Sequence, residues 1–289
     1  MLKPSLRAAA YSACALMMAA AQALAGAAEP AMSLPDSASE AYQNYRQAKS
    51  PKAFAISASG QYASSENQSK LADAVRAALS NCRRQSKAPC QLYAVNDELQ
   101  TEREQQAQQQ AEQLLAKAAT KNADYLMLEQ YNWLLDEASQ PRPHDYSVHY
   151  PTPISLAGIP SISTDNLLSA LKEKRITLID ATGLAGLEAT LPGALLLEGA
   201  ALHYRAKDEA LNQKLLSALE PLLAKRLPDK TQAIAVFCTN FECWMSINTL
   251  FHLKQLGYQN LYWYRGGVAA WKTAGLEMGK NNGVYLLEF

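Results

Sequence analysis

Two cysteines five positions apart, Cys238 and Cys243, are the residues of this chain with the clearest chemical potential. They stand at either end of the polar loop "TNFE" in the stretch "AIAVFCTNFECWMSINTLFHL". The apolar run before Cys238 predicts a buried strand, and the pattern after Cys243 predicts a helix. A thiolate at the start of a helix faces its positive end and the N–H groups of the loop, which lower a cysteine's pKa. We therefore expect Cys238 to be a reactive thiol, with inert core as the alternative.

The N-terminus indicates the compartment in which these thiols act. The first residues, "MLKPSLRAAAYSACALMMAAAQALAGAAEP", carry two basic residues, an apolar stretch and a small-residue cleavage site. The apolar stretch is about fifteen residues long, which is short for a spanning helix. We predict a signal peptide over residues 1–27, with an uncleaved anchor as the alternative. Cys14 should leave with the peptide, which gives a periplasmic protein without stable membrane insertion.

A second cysteine pair, Cys82 and Cys90, differs in kind. Cys82 ends a helical pattern, and Cys90 begins the strand-like "CQLYAV". In an oxidising compartment a disulfide would pin this helix to the strand, contributing about 2 to 3 kcal/mol in the chain-entropy model. A redox or metal pair is the alternative, but histidine at ligand spacing is missing from the nearby sequence. The pattern therefore favours a structural disulfide.

Composition and periodicity indicate the domain organisation of the 289 residues. Lys+Arg and Asp+Glu balance at 27 each, which predicts no nucleic-acid partner. We expect a small α+β domain over 40–98, and a helical connector over 99–138 whose polar first half is a solvated helix or spacer. A Pro-rich linker over 139–153 should follow. Strands then alternate with helices over 154–280, which predicts an α/β domain with a mainly parallel sheet flanked by helices.

Residues from about 154 to 278 resemble a rhodanese-like (sulfurtransferase) domain. The matching landmarks, in the family's order, are "LIDA" with Asp180, "LPGA", the Cys238 loop, "LKQLGYQNLYWYRGG" and "AAWKTAGL". The resemblance implies a structural role for Asp180 and a persulfide on Cys238. It also implies that the loop amides from Thr239 through Cys243 cradle the outer sulfur.

The loop departs from the pattern of active family members, which usually place glycine within it and an arginine, then a serine, at its end. Phe241, Cys243 and Trp244 stand at those positions here. Loss of the arginine weakens binding of anionic substrates, and Glu242 would oppose an anionic donor. Arg265 could lie near the mouth and compensate, or it could be an ordinary surface arginine. The substrate-binding candidates are Thr239, Asn240, Phe241, Glu242, Trp244 and Arg265.

The "CWMS" element, with "GYQNLYWY" downstream, also resembles exported rhodanese-like proteins associated with pyrroloquinoline-quinone-dependent catabolism. Those proteins are named for a paired-cysteine–tryptophan motif, whose spacing differs from the spacing here. His203 and His252 complete no catalytic triad, and His252 should be a structural or surface histidine. We expect no metal and no cofactor.

The leading hypothesis is an exported sulfurtransferase that takes sulfane sulfur from a small donor, similar to a thiosulfate sulfurtransferase. Cys243 could attack a persulfide or mixed disulfide on Cys238, or could pack inward without chemistry. Two other functions stay open. One is a binding module with a permanent Cys238–Cys243 disulfide, whose N-terminal domain engages a periplasmic protein. The other is an oxidoreductase for thiols and disulfides of periplasmic proteins.

Overall fold

Short segments rich in apolar residues in the first third of the chain build an antiparallel sheet with the strand order β2-β1-β3-β4. The computed structural model describes residues 33–120, 122–131, 149–202 and 208–286. The elements of this region are α1 (Ser39–Gln47), β1 (Ala53–Ser57), β2 (Tyr62–Ser65), α2 (Leu71–Gln85), β3 (Cys90–Val95) and β4 (Glu98–Leu99). The predicted strand–helix–strand unit is confirmed as β1, α2 and β3. β2 and β4 were not predicted, and Gly60, in the left-handed region, forms the turn before β2.

The predicted helix–strand disulfide is present between Cys82 and Cys90. Cys82 lies in the last turn of α2, on the buried face of that helix with Val75 and Leu79. This face packs on β1 and β3, where Ala55 and Leu92 are buried. The disulfide therefore pins the helix to the core that it covers.

The connector forms two helices, α3 (Gln100–Lys117) and α4 (Tyr125–Gln130). The expectation that its first half is a solvated spacer is wrong, because α3 buries Arg103, Ala107 and Ala111. The Arg103 guanidinium donates to the carbonyl of Leu187 and lies 3.4 Å from the Asn281 side-chain oxygen. A narrow stripe of alanine and one arginine gives a weak apolar signal, although it allows close packing.

The C-terminal region is the predicted α/β domain, with a parallel sheet in the order β8-β7-β5-β6-β9. Its elements are α5 (Thr164–Lys172), β5 (Thr177–Asp180), β6 (Leu195–Glu198), α6 (Glu209–Arg226), β7 (Ala233–Phe237), α7 (Met245–Gln255), β8 (Asn260–Tyr264), α8 (Gly267–Thr273) and β9 (Val284–Leu286). Helices α6 and α7 pack on one face, and α5 and α8 pack on the other. Ser163 caps α5 by accepting from the Asn166 amide, as one of the two predicted caps. The last strand, β9, was not predicted.

The first sheet shares its core with this second sheet. Leu187, Leu196 and Val284 lie in the same buried cluster as the residues around Cys82 and Cys90. The described residues from Leu34 onward accordingly belong to one compact unit. The domain boundaries given above stay predictions of organisation. Among the described residues, no helix is both long and apolar enough to cross a membrane.

Several sequence predictions fall outside the described residues. These are the signal peptide over 1–27, Cys14, most of the Pro-rich linker and His203.

Candidate functional site

Cys238 and Cys243 lie in the loop that joins β7 to α7, at the carboxyl edge of the parallel sheet. The predicted strand, loop and helix are therefore all present. A disulfide joins the two cysteines, with a Cα–Cα distance of 6.0 Å. Both are buried, Cys238 with 1% and Cys243 with 0% of its surface exposed. Because the loop leads into the N-terminus of the eleven-residue α7, the helix dipole favours negative charge on these sulfurs.

Each backbone carbonyl of this loop accepts a hydrogen bond from the protein. The donors are, from Cys238 to Cys243, Val268 N (3.0 Å), Ala269 N (2.9 Å), Cys243 N (3.2 Å), Thr152 N (2.9 Å), Tyr150 N (3.2 Å) and Ser246 Oγ (3.3 Å). In a trans peptide the N–H points opposite to the preceding carbonyl. The amides of Thr239 and Asn240 therefore point away from α8, which holds the carbonyls on that side.

The start of α8 packs directly on the loop. Gly267 has φ +57°, and a Cβ placed there would lie 2.1 Å from the Cys238 carbonyl oxygen. This position therefore requires glycine for both its conformation and its space. The close approach lets the amides of Val268 and Ala269 reach the loop.

Residues 149–152, which we call the strap, run antiparallel to the far side of the loop. His149 forms a β-bridge with Cys243. Tyr150 and Thr152 donate their amides to Glu242 and Phe241. The Trp244 indole donates to the Tyr150 carbonyl over 3.0 Å, and the two rings lie 5.0 Å apart.

Sequence reasoning treated the strap as the end of a linker. A signal was nevertheless available in "YPTP", where Tyr150 and Thr152 alternate with Pro151 and Pro153. Proline cannot donate to a ladder, so this alternation suits an edge strand that donates at every second residue.

Arg265 is buried, with 2% of its surface exposed, so the surface-arginine alternative is wrong. Its Nη1 donates to the carbonyls of Glu129 (3.1 Å) and Tyr131 (3.0 Å), and its Nη2 donates to the carbonyl of Thr152 (2.9 Å). The guanidinium lies 5.6 Å from the centre of the Phe241 ring. Burial lowers the pKa of Arg265 to about 10. The cation thus lies beside the loop, but it binds protein oxygens.

The other predicted substrate-binding residues surround the loop to different depths. Thr239 is exposed, and its hydroxyl lies 3.8 Å from Cys238 Sγ. Asn240, Phe241 and Glu242 are partly exposed, whereas Trp244 is buried. The Asn240 side chain accepts from the Glu242 amide over 3.0 Å, which tightens the turn.

Asp180 lies at the end of β5 and is fully buried. Its carboxylate accepts from the Thr182 amide over 2.7 Å and from the Thr190 hydroxyl. Burial raises the pKa of Asp180. These contacts hold the turn after β5, which suits the structural role implied by the resemblance.

His252 is buried on α7, with Nδ1 2.9 Å from the Ala200 carbonyl oxygen. Of the two alternatives, a structural or a surface histidine, His252 is therefore the structural one.

Glu129, on α4, was missed from the sequence because an acidic residue in "YLMLEQ" is typical of an exposed helix face. Only 7% of its surface is exposed. Oε1 accepts from the Thr164 amide over 2.7 Å and from the Thr164 hydroxyl, which also contacts the Tyr264 hydroxyl. Oε2 has no hydrogen-bond partner among the described residues. Burial raises the pKa of Glu129 to about 7.

Glu129 also fixes α4 against the start of α8. A Cβ on Gly266 would lie 2.8 Å from Glu129 Cγ. Because the Arg265 guanidinium binds the Glu129 carbonyl, α4 and the strap meet at one buried arginine. The described residues contain no group of three or more His, Cys, Asp or Glu side chains that could hold a metal ion.

Comparison with known proteins identifies the C-terminal region. Residues 163–274 match the family model described as "Rhodanese-like domain". The strap and Glu129 lie outside this match. No curated protein matches the chain.

Several solved structures are similar to part of the chain. Thiosulfate sulfurtransferase from Pseudomonas aeruginosa shares 18% identity at a TM-score of 0.34, covering 46% of this chain and 22% of that one. A 3-mercaptopyruvate sulfotransferase from Escherichia coli shares 22% at a TM-score of 0.29, covering 37% and 42%. The polysulfide-sulfur transferase homodimer from Wolinella succinogenes shares 23% at a TM-score of 0.28, covering 43% and 80%. The chain thus spans about a fifth of the length of the Pseudomonas protein, and none of these likenesses carries an argument about activity. On the family match, residues 163–274 of this chain form a rhodanese-like domain.

Proposed function

We propose that this protein is an exported sulfurtransferase that carries sulfane sulfur on Cys238 and resolves it with Cys243. The observation that carries the proposal is the disulfide between these two residues, across a loop at the carboxyl edge of a parallel sheet. Ligands of open α/β sheets bind beyond that edge. The rhodanese-like domain supports a role in sulfur transfer in general.

The loading step is a nucleophilic displacement. The Cys238 thiolate attacks the sulfane sulfur of a donor and forms Cys238–S–S⁻. The S–S bond of the donor breaks, which releases the thiolate R–S⁻ from a persulfide or polysulfide R–S–S⁻ and releases sulfite from thiosulfate. The outer sulfur keeps the negative charge, which the N-terminus of α7 stabilises. An acceptor thiol can then remove this sulfur.

Cys243 provides a second fate for the persulfide. Its thiolate attacks Cys238 Sγ, which forms the Cys238–Cys243 disulfide and breaks the S–S bond of the persulfide. The outer sulfur leaves with that electron pair, takes a proton from water and is released as hydrosulfide. The two cysteine thiols are oxidised and the sulfane sulfur is reduced. A small thiol reductant, two R–SH per disulfide, then restores both thiols and becomes R–S–S–R.

The decisive experiment is sulfur loading of the reduced protein followed by intact-mass spectrometry. Thiosulfate and inorganic polysulfide serve as donors, and thiocyanate formation with cyanide reports turnover. We expect Cys243→Ser to accumulate one added sulfur atom, and the unmodified protein to release hydrosulfide and form the disulfide. Cys238→Ser should load none. Equal loading of Cys238→Ser, or no loading of any form by either donor, would refute the proposal.

A second candidate is a binding module in which the disulfide is permanent. The burial of both cysteines under the strap favours it. In that case Cys238–Cys243 would resist a mild reductant in the folded protein, and the N-terminal region would engage a periplasmic protein. Complete reduction under conditions that leave Cys82–Cys90 intact would exclude this candidate.

Export is the remaining part of the proposal, and it depends on the N-terminal sequence pattern. Expression in a bacterium, followed by fractionation and N-terminal sequencing, tests it. A periplasmic protein that begins near residue 28 supports cleavage, whereas cytoplasmic retention of the intact chain refutes export.

A further inference from the structure

Thr152 lies outside the rhodanese-like match, yet it contacts the middle of the cysteine loop. Its exposed fraction is 0%. Its amide donates to the Phe241 carbonyl over 2.9 Å, and its hydroxyl donates to the same oxygen. Because Phe241 lies between Cys238 and Cys243, this oxygen is a substituent of the ring that the disulfide closes.

Arg265 also holds Thr152 in place. Its Nη2 donates to the Thr152 carbonyl over 2.9 Å, and its Nε lies 3.3 Å from the Thr152 hydroxyl oxygen. The amide, carbonyl and hydroxyl of Thr152 are therefore all bound. Thr152 can neither rotate its side chain nor turn its peptide planes without breaking a contact to the loop or to a buried cation.

The peptide between Phe241 and Glu242 is held on both of its edges. The carbonyl edge faces Thr152, and the N–H edge donates to Asn240 Oδ1 over 3.0 Å. The next carbonyl, of Glu242, accepts from the Tyr150 amide. These contacts exist in the conformation in which the two sulfurs are bonded.

Reduction must separate the two sulfurs to van der Waals distance, so the loop between them has to move. A contact that fits the closed ring better than the open one stabilises the disulfide, and by linkage its loss favours the dithiol. We propose that Thr152, held by Arg265, is a positioning residue that binds the cysteine loop to the strap and thereby stabilises the Cys238–Cys243 disulfide over the dithiol. The inference deepens the proposed function, since it concerns regulation of the same pair of thiols.

The test compares Thr152→Val, which keeps the size of the side chain and removes the hydroxyl, with Thr152→Ser, which keeps the hydroxyl. Each full-length protein is equilibrated in dithiothreitol redox buffers, and differential alkylation with mass spectrometry measures both cysteine pairs. We expect Thr152→Val to shift the Cys238–Cys243 equilibrium toward the dithiol by about three- to tenfold, the usual worth of one hydrogen bond. Thr152→Ser should stay within about twofold of the unmodified protein, because it retains that bond.

Cys82–Cys90 serves as the internal control, and its equilibrium should not change. A Thr152→Val shift that affects both pairs alike would indicate general destabilisation and would overturn the inference. An unchanged Cys238–Cys243 equilibrium, or an equal shift in Thr152→Ser, would overturn it as well.

Hydrogen exchange of the unmodified protein gives an independent measurement, which decides the question if Thr152→Val does not fold. The amides of Tyr150 and Thr152 should exchange faster after reduction of Cys238–Cys243, and equal exchange would refute the coupling. Neither measurement depends on sulfur loading. A shifted equilibrium in a protein that never accepts sulfur would refute the proposed function and leave the role of Thr152 standing.

Discussion

Cys82–Cys90 and Cys238–Cys243 are both buried, and both close short loops, of sequence separation 8 and 5. In the chain-entropy model each is worth about 2 to 3 kcal/mol, so neither burial nor loop length distinguishes them. Their positions relative to helices do. Cys82 lies in the last turn of α2, whereas Cys243 lies just before α7.

The two helix ends have opposite effects on a thiolate. The C-terminus of α2 carries partial negative charge and disfavours the anion at Cys82, whereas the N-terminus of α7 favours it at Cys243. The surroundings differ as well. Apolar residues such as Ala55 and Leu92 pack around the first disulfide, and hydrogen-bonded peptides surround the second. The comparison teaches that two equally buried pairs can differ in the helix end and in the polarity of the groups that surround them, and the predictions below test whether their chemistry differs as well.

Substituting the cysteines of each pair should give the largest effects, on stability for Cys82–Cys90 and on sulfur loading for Cys238. Replacement of Cys82 and Cys90 by alanine should lower the free energy of unfolding by about 2 to 3 kcal/mol and leave sulfur loading of Cys238 unchanged. Cys238→Ser should abolish loading. Denaturant titration and intact mass measure the two effects. Loss of loading without Cys82–Cys90, in protein shown to be folded, would contradict the division of roles.

A backbone substitution at the site should be the next largest effect. Gly267→Ala places a methyl group against the Cys238 carbonyl at φ +57°, whereas Gly183, at φ +66°, has no atom within 4 Å of such a methyl. Gly183→Ala should therefore cost only the left-handed strain of about 1 to 2 kcal/mol. Gly267→Ala should cost at least twice that amount, measured by denaturant titration, and should impair loading. An equal decrease in the free energy of unfolding for both variants would show that the loop moves to accommodate the methyl group.

The parallel sheet and the position of Cys238 were predictable because apolar runs bounded by turn residues indicate buried strands. The run before Cys238 became β7, and the helical pattern at Val75 and Leu79 became the buried face of α2. Periodicity depends only on the segment that carries it. For that reason it found strands and helices, and it placed Cys238 at a strand end.

The partners of those segments were not predictable in the same way. Arg265 binds backbone carbonyls, which every residue possesses, so no side-chain pattern indicates Glu129, Tyr131 or Thr152 as its partners. The packing of α3 was missed because alanine is a weak apolar signal. The partners of a residue that contacts segments distant in sequence cannot be predicted until the fold is known.

Graded reduction should sharpen the comparison by a smaller effect. Cys238–Cys243 should open at a dithiothreitol concentration about tenfold lower than Cys82–Cys90, because its thiolates are better stabilised. Alkylation of the folded protein followed by peptide mapping measures both pairs in one sample. Reduction of Cys82–Cys90 at the lower dithiothreitol concentration would contradict this prediction, because the more easily reduced disulfide would then be the one in the N-terminal region.

The response to pH should separate the two regions by the smallest effect. The tyrosines around β1, Tyr42 and Tyr45, have raised pKa values, so they stay protonated near neutrality. Glu129 has its pKa raised from 4.5 to about 7, mainly by burial and in part by the charge of Asp165, against the opposing Thr164 hydrogen bonds. Between pH 4.5 and about pH 7, Glu129 is protonated in the folded protein and ionised in the unfolded chain.

Stability from this group is therefore fully present below about pH 4.5, falls as the pH rises, and is lost above about pH 7. We expect a decrease of about 1 to 2 kcal/mol across that window. Glu129→Gln cannot ionise, so it should remove this decrease while keeping an acceptor for the Thr164 amide. Urea titrations between pH 4.5 and pH 8 measure it. An unchanged pH slope in Glu129→Gln would assign the pH response to other groups.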